Sequence, residues 1–256
     1  MSHALLPPMH QPVRRLLLRE WRFLLFASAT LLAALTPATY VTPVRRAMAQ
    51  ALCVSAWQVL PGYALLTVLF GAVATHIVAV TAASYGLSHL ALEAVVRVLV
   101  VELIPLAAAL FVAMRSGMAM LNRLAALRAQ DVDLCRPAVF DQQVLPGVIG
   151  NFFAVVLLTL VSGTLVLCVG YLVVYGLTPW GLSGFTRLVG QVFDPVTAPG
   201  LLLKIVLFAA AVGIAPATLV LDPPRRVAVG SDMRITARLF LLLALIEAAA
   251  LILLHF

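Results

Sequence analysis

The stretch EAVVRVLVVELIPLAAALFVAMRSGMAMLNRLAALR, residues 93–128, decides the fold of this chain. Its apolar part is long enough to cross a bilayer, yet it carries ionisable side chains, and one charge at mid-bilayer costs roughly 3 kcal/mol or more. Arg97 and Arg115 are eighteen residues apart, which is about 27 Å along an α-helix and close to the hydrocarbon thickness of about 30 Å. We therefore expect a membrane-spanning helix whose two arginines reach opposite bilayer surfaces.

Glu102 lies in the apolar interior of this predicted helix, and Pro105 follows it in the next turn. Because proline has no N–H, it removes one backbone hydrogen bond, and we expect it to kink or loosen the helix at this depth. Two interpretations of Glu102 stay open. In the first, Glu102 stabilises the bundle by accepting hydrogen bonds from a neighbouring helix or by pairing with a nearby arginine. In the second, it is a polar side chain that lines a substrate path. Glu93 and Arg97, four residues apart, favour an ion pair at the outer surface.

The composition is that of a polytopic membrane protein. Hydrophobic residues make up 63% and charged residues 11% of the 256 residues, with a mean hydropathy of +1.10, whereas about a quarter of the residues in a soluble domain are charged. The net charge of +7 comes almost entirely from arginine. In a membrane protein, arginines set the orientation of the chain and bind anionic lipid headgroups, so the charge does not indicate a nucleic-acid partner. The cysteines lack metal-ligand spacing, and neither a phosphate-binding loop nor a zinc or serine-hydrolase motif occurs. We therefore expect no enzymatic activity, metal or cofactor.

Apolar runs predict an all-α protein with one interfacial helix and five spans. Residues 1–46 are interpreted as a cytoplasmic N-terminus with an elbow helix along the inner leaflet, because the uninterrupted apolar run of residues 23–35 is too short to cross. A cleaved signal peptide is the alternative. Residues 47–256 are predicted to form the five-span domain. Its spans are expected at residues 61–80, 93–118, 146–175, 201–221 and 239–256.

The arginines outside the spans predict the orientation. They cluster in the N-terminal segment, in a polar connector at about residues 119–143 and in the loop after residue 222, and the positive-inside rule places these parts in the cytoplasm. The result is a multi-pass protein of the bacterial inner membrane with a cytoplasmic N-terminus and a periplasmic C-terminus. The loop of residues 176–200 is then an outside connector, and the glycines of the third span predict close approach to a neighbouring helix.

Two short motifs in the opening stretch suggest a family. The run V-E-L-I-P at residues 101–105, followed by M-R-S-G, resembles the R-E-L-G-P…G-R-x-G signature of MlaE-type permeases, the membrane subunits of ABC transporters that work with Mce-domain proteins. With Glu102 set on the glutamate of the signature, Pro105, Arg115 and Gly117 fall into register without a gap. Val101 and Ile104 depart from the signature. Weaker similarities are Pro61, Gly86, V-G-Y-L-V at 169–173, Lys204 with Phe208, and R-I-T-A-R at 234–238.

The resemblance implies a permease subunit that moves phospholipid or a related lipid between the inner membrane and an Mce-type periplasmic protein. It also implies a separate ATPase subunit and a homodimer, or a heterodimer with a second permease. On this interpretation the substrate path includes Glu102, Arg97 and Pro105. Structural or switch roles fall to Arg115, Gly117, Glu93 and Lys204, although interhelix contacts are the favoured interpretation of Lys204 and of Glu247.

The connector after the second span is shorter than the corresponding family segment, which is expected to dock on the ATPase. Only N-R-L-A-A-L at residues 122–127, followed by V-D at 132–133, is similar to it. ATPase coupling is therefore assigned to Asn122, Arg123, Leu127, Arg128 and Asp133. Two other classes stay open: a secondary transporter in which Glu102 and Glu93 carry protons, and a membrane scaffold without transport.

Overall fold

A computed structural model describes residues 59–86, 93–130, 139–195, 197–221 and 231–255, together with Gln50 and Arg136 singly. The chain divides into two units, Met1–Val41 and Thr42–Phe256, and every described residue belongs to the second. The elbow helix predicted around residues 23–35 lies outside the described residues, and so does the loop of residues 222–230.

The described residues form helices and no strand. The helices are numbered in chain order: α1 (Leu60–Ser84), α2 (Glu93–Ala129), α3 (Phe140–Tyr175), α4 (Leu182–Val192), α5 (Thr197–Ala217) and α6 (Ser231–His255). All except α4 are long and apolar enough to cross a membrane. The prediction of an all-α polytopic protein with five spans is confirmed.

Several helices extend beyond the apolar runs that predicted them. α2 continues past Met118 to Ala129, α3 begins at Phe140 rather than near Pro146, and α6 begins at Ser231. The end of α2, MAMLNRLAALRA, consists mainly of residues with high helix propensity, so the helix persists after the hydrophobic stretch ends. The connector predicted at about residues 119–143 is therefore largely helical, with the chain between Ala129 and Phe140 left to join the two helices.

α3 is the central helix of the bundle. It packs against α1, α5 and the middle of α2, and α5 also packs against α6. The core where these helices meet is rich in alanine, including Ala108, Ala109, Ala154 and Ala209. Small side chains let helix backbones approach closely, which is how helices associate where lipid surrounds them.

Glycine allows the closest helix crossings. A Cβ atom on Gly213 of α5 would lie 2.8 Å from the backbone oxygen of Val148 in α3, so any larger residue would force the two helices apart. On α3 itself, a Cβ on Gly147 would lie 2.9 Å from the sulfur of Met120 in α2. Close approach was predicted for the third span, α3. The tightest crossing between α3 and α5, however, depends on Gly213 of α5, the fourth span.

A second apolar cluster fills one end of the bundle. It contains Val96 at the start of α2, Val166 in the later half of α3 and Val192 at the end of α4, with Leu201 of α5 packed against it. We call this end of the bundle the α4 end. The amphipathic helix α4 was not predicted, and it lies against the first turns of α2.

α2 is interrupted by two π-helical segments, Val96–Leu103 and Ala113–Gly117. They coincide with the two motifs that carry the family resemblance, and π-helical turns often occur at functional sites. The first ends just before Pro105, where the sequence predicted a loosened helix. Because Pro105 has no N–H, it cannot donate to the carbonyl of Val101, its partner in a regular α-helix.

Candidate functional site

Lys204 of α5 is the buried charged side chain around which the site is built, and 0% of that side chain is exposed. Its ammonium donates hydrogen bonds to Oε2 of Glu102 on α2 and, at 2.9 Å, to Oε1 of Glu247 on α6. It also donates to the carbonyl oxygen of Val101 at 3.4 Å, the group that Pro105 leaves without its helical donor. An ammonium has three N–H groups, so all of them are used. We call Glu102, Lys204 and Glu247 the triad.

The triad residues come from three spans but lie at a similar depth. Glu102 is nine residues after the start of α2, Lys204 is seven after the start of α5, and Glu247 is eight before the end of α6. At 1.5 Å per residue these separations correspond to about 14, 10 and 12 Å. Successive spans run in opposite directions, so the three helix ends lie together at the α4 end. The triad therefore lies within the membrane-spanning part of the bundle.

The triad contains one more acid than base. The side chains of Glu102 and Glu247 are 15% and 16% exposed, while Lys204 is enclosed. Both oxygens of Glu247 lie 2.9 Å from the Lys204 nitrogen, but only Oε1 is oriented to accept its hydrogen bond. The Phe208 ring centroid lies 5.9 Å from the same nitrogen, within the range of a cation–π contact. Such a buried arrangement is stable only while both partners of each ion pair are present.

The structure changes the interpretation of the charges near Glu102. The partner of Glu102 is Lys204, on a neighbouring helix, and not an arginine. Arg97 and Arg115 are exposed and Glu93 is half-buried. The predicted Glu93–Arg97 ion pair is not among the ion pairs found for the described residues, in which Lys204 pairs with Glu102 and Glu247. The prediction assumed α-helical spacing, which holds for Glu93–Val95 but not from Val96 onward, where the helix becomes π-helical.

The second π-helical segment also carries an interhelix polar contact. Ser116 of α2 donates a hydrogen bond to the side-chain oxygen of Asn151 on α3, which is itself buried. The amide nitrogen of Asn151 lies 3.7 Å from the sulfur of Met120. Gly117 is buried next to Pro216 of α5. Asn151 was not predicted, although an amide within an apolar run was a usable signal.

The residues assigned to ATPase coupling lie on the last turns of α2, away from the triad. Asn122 and Arg123 are exposed, whereas Leu127 and Arg128 are half-buried. Arg123 Nη2 donates a hydrogen bond of 2.6 Å to Oε1 of Gln143 at the start of α3. Asp133 lies outside the described residues. Four of the five residues assigned to ATPase coupling thus lie at the accessible C-terminal end of α2.

Residues 48–246 match the family model described as Permease MlaE. The chain belongs to the MlaE permease family. The match includes Glu102 and Lys204 and ends immediately before Glu247. No curated protein matches the chain.

Membership of the MlaE permease family makes this chain a permease subunit for lipid transport, the membrane part of a transporter and not itself catalytic. Together with the five apolar helices, it indicates a multi-pass inner-membrane protein. The family resemblance noted in the sequence is thereby confirmed, and the scaffold interpretation is disfavoured.

Proposed function

We propose that this MlaE-family permease moves phospholipid between the inner membrane and an Mce-type periplasmic partner, with ATP hydrolysis in a separate subunit. The observation that carries the proposal is the triad. Lys204 connects α2, α5 and α6 at one depth inside the membrane, in a chain whose family transports lipid. An ionisable group within a membrane-spanning helix is by default a hypothesis of a functional site.

In this proposal the triad closes the substrate path. Because all three N–H groups of Lys204 are used, its ammonium can bind a lipid phosphate only after releasing one carboxylate. A headgroup phosphate therefore competes with Glu102 or Glu247, and this exchange loosens α2 or α6 from α5. Arg97, exposed toward the α4 end, offers a first cation for the phosphate. Buried Pro105 keeps the Val101 carbonyl available to Lys204.

The rest of the assembly follows the resemblance. With the N-terminus in the cytoplasm and the C-terminus in the periplasm, the α4 end lies on the periplasmic side, where an Mce-type partner would receive lipid. The opposite end of α2, with Arg123 and Arg128, faces a cytoplasmic ATPase. A second permease, identical or not, pairs with this one across exposed apolar helix faces. Arg115 and Gly117 act at the second π-helical segment of α2.

Substitution of Glu102 by glutamine tests the role of the triad in transport. The change keeps the shape of the side chain but weakens a charged hydrogen bond, which contributes about 1.5–3 kcal/mol. A weakened contact no longer closes the path after the phosphate has left, and since about 1.4 kcal/mol corresponds to a factor of ten, we expect at least a tenfold loss of ATP-driven transfer. The measurement is ATP-driven transfer of fluorescent phospholipid from proteoliposomes that hold the complex isolated with this chain. Arg187→Gln, an exposed change on α4, is the control and should keep the wild-type rate.

Two results would redirect the proposal. An unchanged transfer rate in Glu102→Gln would remove the triad from the substrate path. Transfer that needs no ATP and instead follows a pH gradient would favour the proton-coupled secondary transporter.

A further inference from the structure

The triad has more negative than positive groups, which indicates that it binds a further positive species. Two carboxyl groups share one ammonium, whose three N–H groups are all used. Oε2 of Glu247 is buried and has no hydrogen-bond partner. The carboxyl groups of Glu102 and Glu247 both accept hydrogen bonds from the same Lys204 nitrogen, so the two acids lie close together. Fully ionised, the triad would carry one uncompensated negative charge inside the membrane.

The helices packed around the triad supply no second cation among the described residues. α3 has no charged residue from Gln142 to Tyr175, and Lys204 is the sole charged residue of α5. The ion pairs found for Glu102 and Glu247 are both with Lys204. The other charged residues and histidines of these helices whose burial is described are exposed or half-buried: His76 on α1, Glu93, Arg97, Arg115, Arg123 and Arg128 on α2, Asp141 on α3, Arg187 on α4, and Arg238 toward the opposite end of α6. Val101, next to Glu102, is buried and apolar.

A single proton is the smallest species that would neutralise the excess negative charge of the triad. Ionised carboxylates only accept hydrogen bonds, so the buried Oε2 of Glu247 gains a partner if one of the two neighbouring carboxyl groups is protonated. Two carboxyl groups that share one site cannot both ionise at little cost, and one retains a proton. Burial of an unpaired charge costs far more than protonation of the group.

We propose that the triad is a proton-binding site in which Glu102 and Glu247 share one proton while α2, α5 and α6 are packed together. In this state two acids, one proton and one ammonium leave the triad neutral. When the proton passes to bulk water at alkaline pH, the triad carries one negative charge and the carboxylates repel each other. Release of the proton therefore favours separation of α6 from α2. This inference does not depend on which lipid the permease moves.

Infrared spectroscopy of the full chain in lipid nanodiscs tests proton occupancy directly. We expect the C=O stretch of one protonated carboxyl group per chain at neutral pH, and its loss on titration to alkaline pH. The band should also be lost in Glu102→Gln and in Glu247→Gln, because either change leaves one acid matched to Lys204. Asp194→Asn, at an exposed carboxyl group outside the spans, should leave the band unchanged. Absence of the band from the wild-type chain at neutral pH, or its survival in both glutamine variants, would overturn the proposal.

Spin labels test the link between the proton and helix separation. Val98 of α2 and Leu245 of α6 are both exposed and can carry labels in a chain whose native cysteines are replaced. We expect the distance between the labels to increase over the pH range in which the infrared band disappears. In Glu247→Gln the distance should not respond to pH. A wild-type distance that stays constant while the band is lost would contradict the coupling of proton release to opening.

Discussion

Replacement of Lys204 by methionine is expected to lower the free energy of unfolding by about 3–5 kcal/mol, the range found when one partner of a buried ion pair is removed. Methionine fills a similar volume, so the loss reports the charge rather than a cavity. The Lys204 side chain is 0% exposed, and water cannot take its place beside Glu102 and Glu247. The loss should shrink as the pH falls, because protonated carboxyl groups need no cation. The measurement is unfolding in mixed micelles, followed by circular dichroism at several pH values.

The matched control removes the whole triad. In the variant Glu102→Gln, Lys204→Met, Glu247→Gln no charge remains in the triad, and replacing a complete buried ion pair by neutral groups is often close to neutral for stability. We therefore expect the triple variant to recover most of the stability that Lys204→Met loses. Arg187→Met, at an exposed site, should stay within about 0.5 kcal/mol of the wild type. Equal stability of Lys204→Met and the wild type would show that the ion pairs do not hold the spans together.

Reversal of the charges at the end of α2, by Arg123→Glu with Arg128→Glu, is expected to abolish ATP-driven lipid transfer while the chain stays folded. α2 runs as one helix from Glu93 to Ala129, so it connects the assigned coupling surface to Glu102 inside the membrane. The hydrogen bond from Arg123 to Gln143 is exposed, and its loss should cost at most about 1 kcal/mol. ATPase rate and lipid transfer are to be measured together in the reconstituted complex.

The same charge reversal at the opposite end of the bundle provides the control. Arg187→Glu on α4 changes an exposed arginine that is remote from the connector, and it should leave the coupling of ATP hydrolysis to transfer unchanged. Full coupling in the Arg123→Glu, Arg128→Glu variant would refute the assignment of the coupling surface.

The spans could be predicted from the sequence because the bilayer sets their length. About twenty apolar residues are needed to cross, and each of the five runs satisfies this requirement. The helix ends were harder to predict, since they depend on helix propensity beyond the membrane, as in Met118–Ala129. α4 was overlooked among aromatic and glycine residues, although Phe185 and Val192 are spaced to lie on one face of a helix and are both buried.

The members of the triad could be noticed in the sequence, but their pairing could not. Glu102 was singled out because a carboxylate within an apolar run needs a partner. That partner, Lys204, is 102 residues away, and Glu247 is a further 43 residues along the chain. Their contact depends on how α5 and α6 pack around α2. The Glu93–Arg97 pair was expected from α-helical spacing, which ends at Val95, after which the π-helical segment begins.

The most direct test of the whole account is to isolate the chain from its native membrane in mild detergent and to identify the accompanying polypeptides and lipids by mass spectrometry. The account predicts an ABC ATPase, an Mce-domain protein and enriched phospholipid, and a second permease if the dimer is heteromeric. Isolation of the chain alone, without enriched lipid, would contradict the proposed transport of phospholipid to an Mce-type partner.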